Sequence, residues 1–193
     1  MHTPATVDDL FQLYEIEGVE PYGESLTQTQ HALQCAALAR AAGASDALIV
    51  ASLFHDVGHL VTGVQNQVDF RIDEHDDDHE AIGARVLAPL FGPSVAQPVS
   101  LHVTAKRWRC TREPSYYNRL SEASRRSLQA QGGLLSDEEC TRFEEHPGFV
   151  DALSLREWDD EGKVVNLDVG VLDDYVELVS SLASTWSQER HGR

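Results

Sequence analysis

The sequence predicts an all-α fold, a single domain over residues 1–193 with helices bundled around a dinuclear metal centre. Three observations predict it. Apolar residues recur at helical spacing, as in Leu48, Ile49, Leu53 and Phe54. Helix-start signals recur along the chain, at Ser25-Leu26-Thr27-Gln28, Ser45-Asp46 and Ser136-Asp137-Glu138-Glu139. Four histidines, His31, His55, His79 and His102, fall on four different predicted helices at intervals of 24, 24 and 23 residues. One inward imidazole per helix is how metal sites are built in bundle cores.

The first helix is expected over Val7 to Glu17, ending near Gly18. The loop Pro21-Tyr22-Gly23-Glu24 follows, then a helix opened at Ser25 and stopped after Ala42 by Gly43. Ser45-Asp46 caps the next helix, which carries His55, Asp56 and His59 near its end. The acidic run Asp73-Glu74-His75-Asp76-Asp77-Asp78 leads into a helix over His79 to Leu90, where acidic residues suit the positive end of the helix dipole. Pro93 suits a first turn, and the helix after it carries His102, with Pro98 as a kink. Arg107 to Pro114 reads as a basic, aromatic loop. Helices are expected over Tyr116 to Leu128, from Ser136 to His146-Pro147, over Phe149 to Asp160 and over Val169 to Trp186. No repeat or low-complexity linker divides the chain.

Composition limits the function. A formal net charge of -17 argues against nucleic acid and against an anionic membrane surface as partners. It does not exclude an anionic small substrate, because a metal pair inverts the local field. Cys35, Cys110 and Cys140 are odd in number and form no C-x-x-C pair, which suits a reducing cytoplasmic setting. The N-terminal MHTPATVDDL lacks the apolar core of a signal peptide, and no apolar run reaches the roughly 20 residues of a membrane span.

The chemistry rests on six residues in the order His31, His55-Asp56, His79, His102 and Asp159. A carboxylate has two oxygens, so Asp56 can bridge two cations while His55 binds one. Four imidazoles with two carboxylates suit borderline first-row metals better than Mg or Ca. At helical spacing, Lys106 lies one turn after His102, and Arg156 one turn before Asp159. His59 lies one turn after His55. Asp159 is preferred to its neighbour Asp160 because Arg156 then falls beside it. Tyr22 and Glu24 form either a lid or an ordinary turn before the first ligand helix. The acidic run is either a solvated helix start or, through Asp73 or Asp76, a face for a cationic group. Phe70, Trp108, Tyr116 and Tyr117 are scattered around the same loops; core packing is the expected role of each, the alternative being the aromatic faces that, with carboxylates, bind quaternary ammonium groups.

His55-Asp56-Val57-Gly58-His59, with His31-Ala32-Leu33-Gln34-Cys35 upstream, resembles the HD-domain superfamily of helical metalloenzymes. The motif of the H…HD…D type is filled by His31, His55-Asp56 and Asp159. Most members are phosphohydrolases. With His79 and His102 added, the chain looks most like the PhnZ-like phosphonate oxygenases, over roughly Tyr22 to the last helix. That resemblance implies a mixed-valent Fe(II)/Fe(III) pair with dioxygen as co-substrate. His31, His55, Asp56 and Asp159 would hold one iron. Asp56, His79 and His102 would hold the other. It implies that His59, Lys106, Ser124 and Arg156 grip a phosphonate, and that Tyr22 and Glu24 respond to substrate, Glu24 facing a cationic nitrogen. The implied reaction cleaves the C–P bond of a 1-hydroxy-2-aminoethylphosphonate, with a primary or trimethylated nitrogen, to phosphate and glycine or glycine betaine. The rival reading is a dinuclear HD phosphohydrolase acting on a small phosphoester, with the same ligands around a hydrolytic metal pair.

Overall fold

The computed structural model describes residues 3–19, 21–22, 26–63 and 78–192. Helix α1 (Val7–Ile16) starts from Thr6, whose hydroxyl accepts from the Asp9 N–H while Asp9 accepts from the Thr6 N–H. Two-residue strands follow, β1 (Pro21–Tyr22) and β2 (Leu26–Thr27), antiparallel with Tyr22 opposite Leu26. This ribbon delays the next helix. The start expected at Ser25 moves to Thr27, which forms a capping box with Gln30 and opens α2 (Gln28–Ala41). Ser45 caps α3 (Asp46–Phe54) as expected.

The single helix expected to carry His55, Asp56 and His59 is two helices. Helix α3 stops at Phe54 and α4 (Val57–Thr62) begins after Asp56. Asp56 has φ -96° and ψ 11°, in the sparsely allowed bridge region where many active-site residues sit. It is the N-cap of α4 yet makes no capping hydrogen bond, because its carboxylate turns into the interior.

Helix α5 (His79–Phe91) is followed by α6 (Pro93–Arg112), with Pro93 in its first turn. The loop expected from Arg107 is therefore mostly helix. It stops at Glu113 because Pro114, the first residue of α7 (Pro114–Arg119), disfavours helical backbone in the residue before it. The helix expected over Tyr116 to Leu128 is broken at Leu120-Ser121, where Ser121 caps α8 (Glu122–Ala130). Ser136 and Glu139 form the expected box opening α9 (Asp137–Glu144). Helix α10 (Phe149–Glu161) follows. A 3-10 turn over Leu172–Tyr175 replaces the start of the last expected helix, and α11 (Val176–His191) completes the chain. The expected all-α class holds, with one small ribbon added.

Helix α6 packs along α5 on one side and α10 on the other, while α2, α3 and α10 meet one another. The main core centres on Phe54, with Tyr14 edge-on at 5.4 Å, Phe11 edge-on at 5.8 Å and Phe91 stacked at 6.4 Å. A second cluster joins Ala105, Phe143 and Ala152 under Trp108. Cys35, Cys110 and Cys140 are buried free thiols. No helix among the described residues is long and apolar enough to cross a membrane.

The Tyr14 hydroxyl is fully buried and has no hydrogen-bond partner among the described residues. An unsatisfied buried hydroxyl costs about 1–3 kcal/mol, so its removal costs nothing where no partner is lost. Tyr14→Phe is expected to leave stability unchanged or raise it by about 1 kcal/mol in urea unfolding. A loss of stability would mean that the hydroxyl has a partner.

Candidate metal centre

The short sequence His31-Ala32-Leu33-Gln34-Cys35 docks α2 onto the end of α10. The His31 Nδ1 lies 2.9 Å from the Gly162 carbonyl oxygen, and the Cys35 thiol donates to the Trp158 carbonyl. The Gln34 amide donates to the Val164 carbonyl at 2.8 Å and accepts from its N–H at 2.9 Å. Gly162 permits this approach, since a Cβ there would lie 2.7 Å from Cys35 Sγ. The same docking brings Asp159 of α10 to His31.

Three of the buried imidazoles have Nδ1 on a backbone carbonyl. The Nδ1 of His31 faces Gly162 O, that of His55 faces Ser52 O at 2.9 Å, and that of His102 faces Val99 O at 2.7 Å. A carbonyl only accepts, so Nδ1 carries the proton and the Nε2 lone pair is left to point inward. The His79 Nδ1 lies 3.5 Å from the Glu80 carboxylate. This backing is the usual support of metal-bound histidine.

The inward Nε2 atoms form two pairs around Asp56. His31 and His55 approach to 3.3 Å, and His79 and His102 to 3.2 Å. Asp56 Oδ2 lies 3.8 Å from His31 Nε2 and 3.4 Å from His55 Nε2. Its Oδ1 lies 3.8 Å from His79 Nε2 and 3.9 Å from His102 Nε2. Asp159 Oδ1 joins the first pair, 3.3 Å from His31 and 3.9 Å from His55. Two lone pairs aimed at each other repel unless a proton or a metal cation lies between them. Donors bonded at about 2.1 Å to a first-row metal are separated by roughly 3.0–3.4 Å. The donor set and its spacing therefore fit two metal ions that share one carboxylate.

The electrostatics differ between the histidines: burial works against the His31 charge, but Cys35 and Asp159 beside it outweigh burial and raise its imidazole well above the ordinary range, a charge that a metal ion would replace. Burial lowers the His55 imidazole and, with help from His79 and His55, holds His102 at about 3, so both are neutral donors at pH 7. Burial disfavours the Asp56 charge, but the histidines around it outweigh burial and hold the carboxyl below its ordinary range. Burial acts likewise on Asp159, and Arg156 and Lys163 outweigh it there.

The Asp159 and Asp160 alternatives separate clearly. Asp160 turns away from the centre: it takes the Tyr116 hydroxyl at 2.6 Å and a two-armed contact from Arg156. Arg156 sends its Nη1 to Asp159 Oδ2 at 2.7 Å. Lys106 rides on α6 one turn after His102, with its Nζ donating to Ser127 at 2.6 Å and Gln131 at 3.1 Å. Ser124 is half-buried, its carbonyl accepting from the same Ser127 hydroxyl. His59, across the helix break from His55, stacks on His79 with ring centres 3.9 Å apart. Tyr22 is described only in its backbone, in β1, while Glu24, Phe70, Asp73 and Asp76 lie outside the described residues.

Trp108 packs edge-on against Phe149 and donates to Glu144, and Tyr116 packs under the Arg109 guanidinium, the packing role expected for them. Two residues beside the centre had no role at the metal site in the sequence reading. Cys35 Sγ lies 3.7 Å from both ring nitrogens of His31, beside the imidazole, and burial raises its thiol, which backs His31 rather than replacing it as a donor. Lys163, four residues after Asp159, reaches Asp159 Oδ1 at 3.4 Å. The one-turn spacing that singled out Arg156 would have found it.

The family model for the HD domain matches residues 29–137, more than half of the chain. The chain belongs to the HD-domain family. Among curated HD-domain relatives, it is 43% identical over 184 residues to "Hydroxymethylphosphonate dioxygenase" of Gimesia maris, covering 91% of this chain and 87% of that protein. It is 37% identical over 158 residues to "[1-hydroxy-2-(trimethylamino)ethyl]phosphonate dioxygenase (glycine-betaine-forming)" of Leisingera caerulea, covering 81% and 79%. An uncharacterized protein of Acanthamoeba polyphaga mimivirus is 37% identical over 175 residues, covering 90% and 80%. The resemblance to the phosphonate-oxygenase branch of the HD-domain enzymes is borne out.

Proposed function

We propose that this protein is a diiron oxygenase that cleaves the C–P bond of a 1-hydroxyphosphonate with dioxygen. The observation that carries the reading is the pairing of four Nε2 donors around the two oxygens of Asp56, in a chain similar to two phosphonate dioxygenases. The substrates in those two names share a hydroxyl and a phosphonate on one carbon. Their difference lies in the group R on that carbon.

The balanced reaction is R–CH(OH)–PO3(2−) plus O2 giving R–COO(−), HPO4(2−) and one proton. Carbon loses its C–H and C–P bonds, the four electrons reduce dioxygen, and both oxygen atoms are retained in the products. For the 2-amino and 2-trimethylamino substrates the carboxylate is glycine or glycine betaine. For hydroxymethylphosphonate it is formate.

An iron pair held by His31, His55, Asp56, His79, His102 and Asp159 supplies the redox chemistry and the electrophilic charge that draws in a dianion. The chain's own residues do the rest. Arg156 fixes Asp159 through Nη1 and donates its Nε to Asp160 and to the Tyr116 hydroxyl. Lys106 commits two N–H donors to Ser127 and Gln131 and keeps a third to offer to a phosphonate oxygen. His59 and Ser124 complete the proposed phosphonate grip, with Tyr22 and Glu24 proposed as the loop that meets the rest of the substrate.

The primary test is phosphate release from hydroxymethylphosphonate, (R)-1-hydroxy-2-aminoethylphosphonate and its N-trimethyl analogue, with iron, with and without O2. Oxygen-dependent release supports the reading and ranks the three R groups. Release from phosphoesters alone, without O2, makes the protein a phosphohydrolase.

Lys106 adds a pH signature. Burial and the Arg156 charge bring its ammonium down to about 8. Its positive charge is present below that value and lost above it. The kcat/KM for the phosphonate is therefore expected to fall as pH rises through about 8. Lys106→Gln is expected to give a lower kcat/KM without that limb. An unchanged alkaline limb in the variant would remove Lys106 from the grip.

A further inference from the structure

Lys163 lies just beyond α10, after the Gly162 cap. Its Nζ is 3.4 Å from Asp159 Oδ1, the oxygen that lies 3.3 Å from His31 Nε2. The same residue lines a cavity of about 400 Å³, together with Arg109, Arg119, Ser121 and Ser124. That volume suits a small ligand. Among the described residues, Lys163 is the cation that touches both an oxygen of the centre and this cavity.

Two of the other cations nearby, Arg156 and Arg109, are committed elsewhere. Arg156 gives Nε, Nη1 and Nη2 to Asp159, Asp160 and Tyr116. Arg109 bonds Glu113 and covers the face of Tyr116. Lys163 is an ammonium with three donors, of which the Asp159 contact uses one. Its side chain is 21% exposed, enough to meet a ligand from the cavity without leaving Asp159. Glu157, Asp160 and Glu161 on the same wall make the cavity mixed in charge, so it is not a general anion trap.

We propose that Lys163 is a positioning residue for the substrate phosphonate, receiving it from this cavity and holding it against the Asp159 side of the centre. The proposal rests on the phosphonate reading above. The shared chemistry is a tetrahedral phosphorus oxyanion, whether substrate phosphonate or product phosphate. No bond is made or broken at Lys163; the ammonium offers charge-assisted hydrogen bonds to two oxygens at once.

The test is calorimetric titration of inorganic phosphate into the iron-reconstituted protein, as wild type, Lys163→Met and Lys163→Arg, with iron content measured on each. Lys163→Met is expected to keep its iron and weaken phosphate binding by about tenfold. Lys163→Arg keeps the charge and is expected to stay within about threefold of wild type. In turnover, Lys163→Met is expected to raise KM more than it lowers kcat. Unchanged phosphate affinity in Lys163→Met would overturn the proposal. So would weakened binding in both variants that tracks a loss of iron, since Lys163 would then serve only to hold Asp159. Should Lys163→Met not fold, Lys163→Gln takes its place in the same titration. Lys163-dependent phosphate binding in a protein that oxidises no 1-hydroxyphosphonate would sink the oxygenase reading, and with it the substrate phosphonate proposed here, leaving Lys163 as a ligand for phosphate alone.

Discussion

Asp56→Ala is expected to abolish both metal loading and oxygen-dependent phosphate release while leaving the helices intact. Asp56 is the residue whose two oxygens face the two histidine pairs, Oδ2 toward His31 and His55 and Oδ1 toward His79 and His102. Its removal takes a donor from each metal at once. It also takes away a negative charge that offsets two cations among four imidazoles. The loss should therefore exceed the tenfold to hundredfold penalty typical of a single supporting contact around a metal. The fold is insulated from the change. Although Asp56 stands at the N-cap of α4, its side chain makes no capping hydrogen bond, so alanine removes none. Metal content by mass spectrometry, far-UV circular dichroism and activity read these effects separately. Asp160→Asn is the control, because Asp160 binds Arg156 and Tyr116 and faces away from the histidines. It is expected to retain both metals. Asp56→Ala protein that still binds two metals would remove the bridge from the centre, and Asp160→Asn protein that loses them would reassign the last carboxylate.

The contrast between Asp56 and Asp160 also shows what a sequence carries. Side chains one turn apart on one helix were legible, because helical spacing alone places them: Lys106 after His102 and Arg156 before Asp159 are where that spacing put them. The inward histidines were legible for the same reason, one per helix, with the Nδ1–H of His55 and of His102 absorbed locally. The break at His55-Asp56 was not. Local propensity continues a helix from Asp46 through His59, and what stops it is the pull of groups from α2, α5 and α6 on one carboxylate. Nor was the reach of α6 through Arg107, where Arg107 caps the Gly132 and Gly133 carbonyls and Arg112 pairs with Asp137 and Glu144. Those partners are far along the chain, so a basic, aromatic stretch reads as a loop until they are known. Gln34 is of the same kind: its two hydrogen bonds to Val164 cross 130 residues.

Gly58→Ala is expected to destabilise the protein and to weaken the metal held by His79 and His102. Within a helix, replacing glycine by alanine ordinarily gains about 0.5–1 kcal/mol. Here the added Cβ has no room. It would run into the His79 carbonyl oxygen, with the carbonyl carbon 2.7 Å and the Cα 2.9 Å away. These are backbone atoms and cannot swing aside as a side-chain tip would. Helices α4 and α5 must separate, at a cost typical of overpacking, about 1–3 kcal/mol and occasionally more. His79 is the first residue of α5, so the separation carries its ring away from Asp56 Oδ1, now 3.8 Å distant, and from His102, now 3.2 Å. The stack of His59 on His79 is disturbed by the same movement. Gly83 provides a graded comparison on the same interface. A Cβ there would meet Val57 Cγ1 at 3.3 Å and the Gly58 nitrogen at 3.4 Å, contacts that a small adjustment absorbs. Thermal unfolding is therefore expected to rank wild type and Gly83→Ala close together, with Gly58→Ala well below. Metal titration should show Gly58→Ala losing affinity at one of its two sites first. A Gly58→Ala protein as stable as wild type, with both metals bound, would mean that the His55-Asp56-Val57-Gly58-His59 segment needs its glycine for something other than the close approach of α4 to His79.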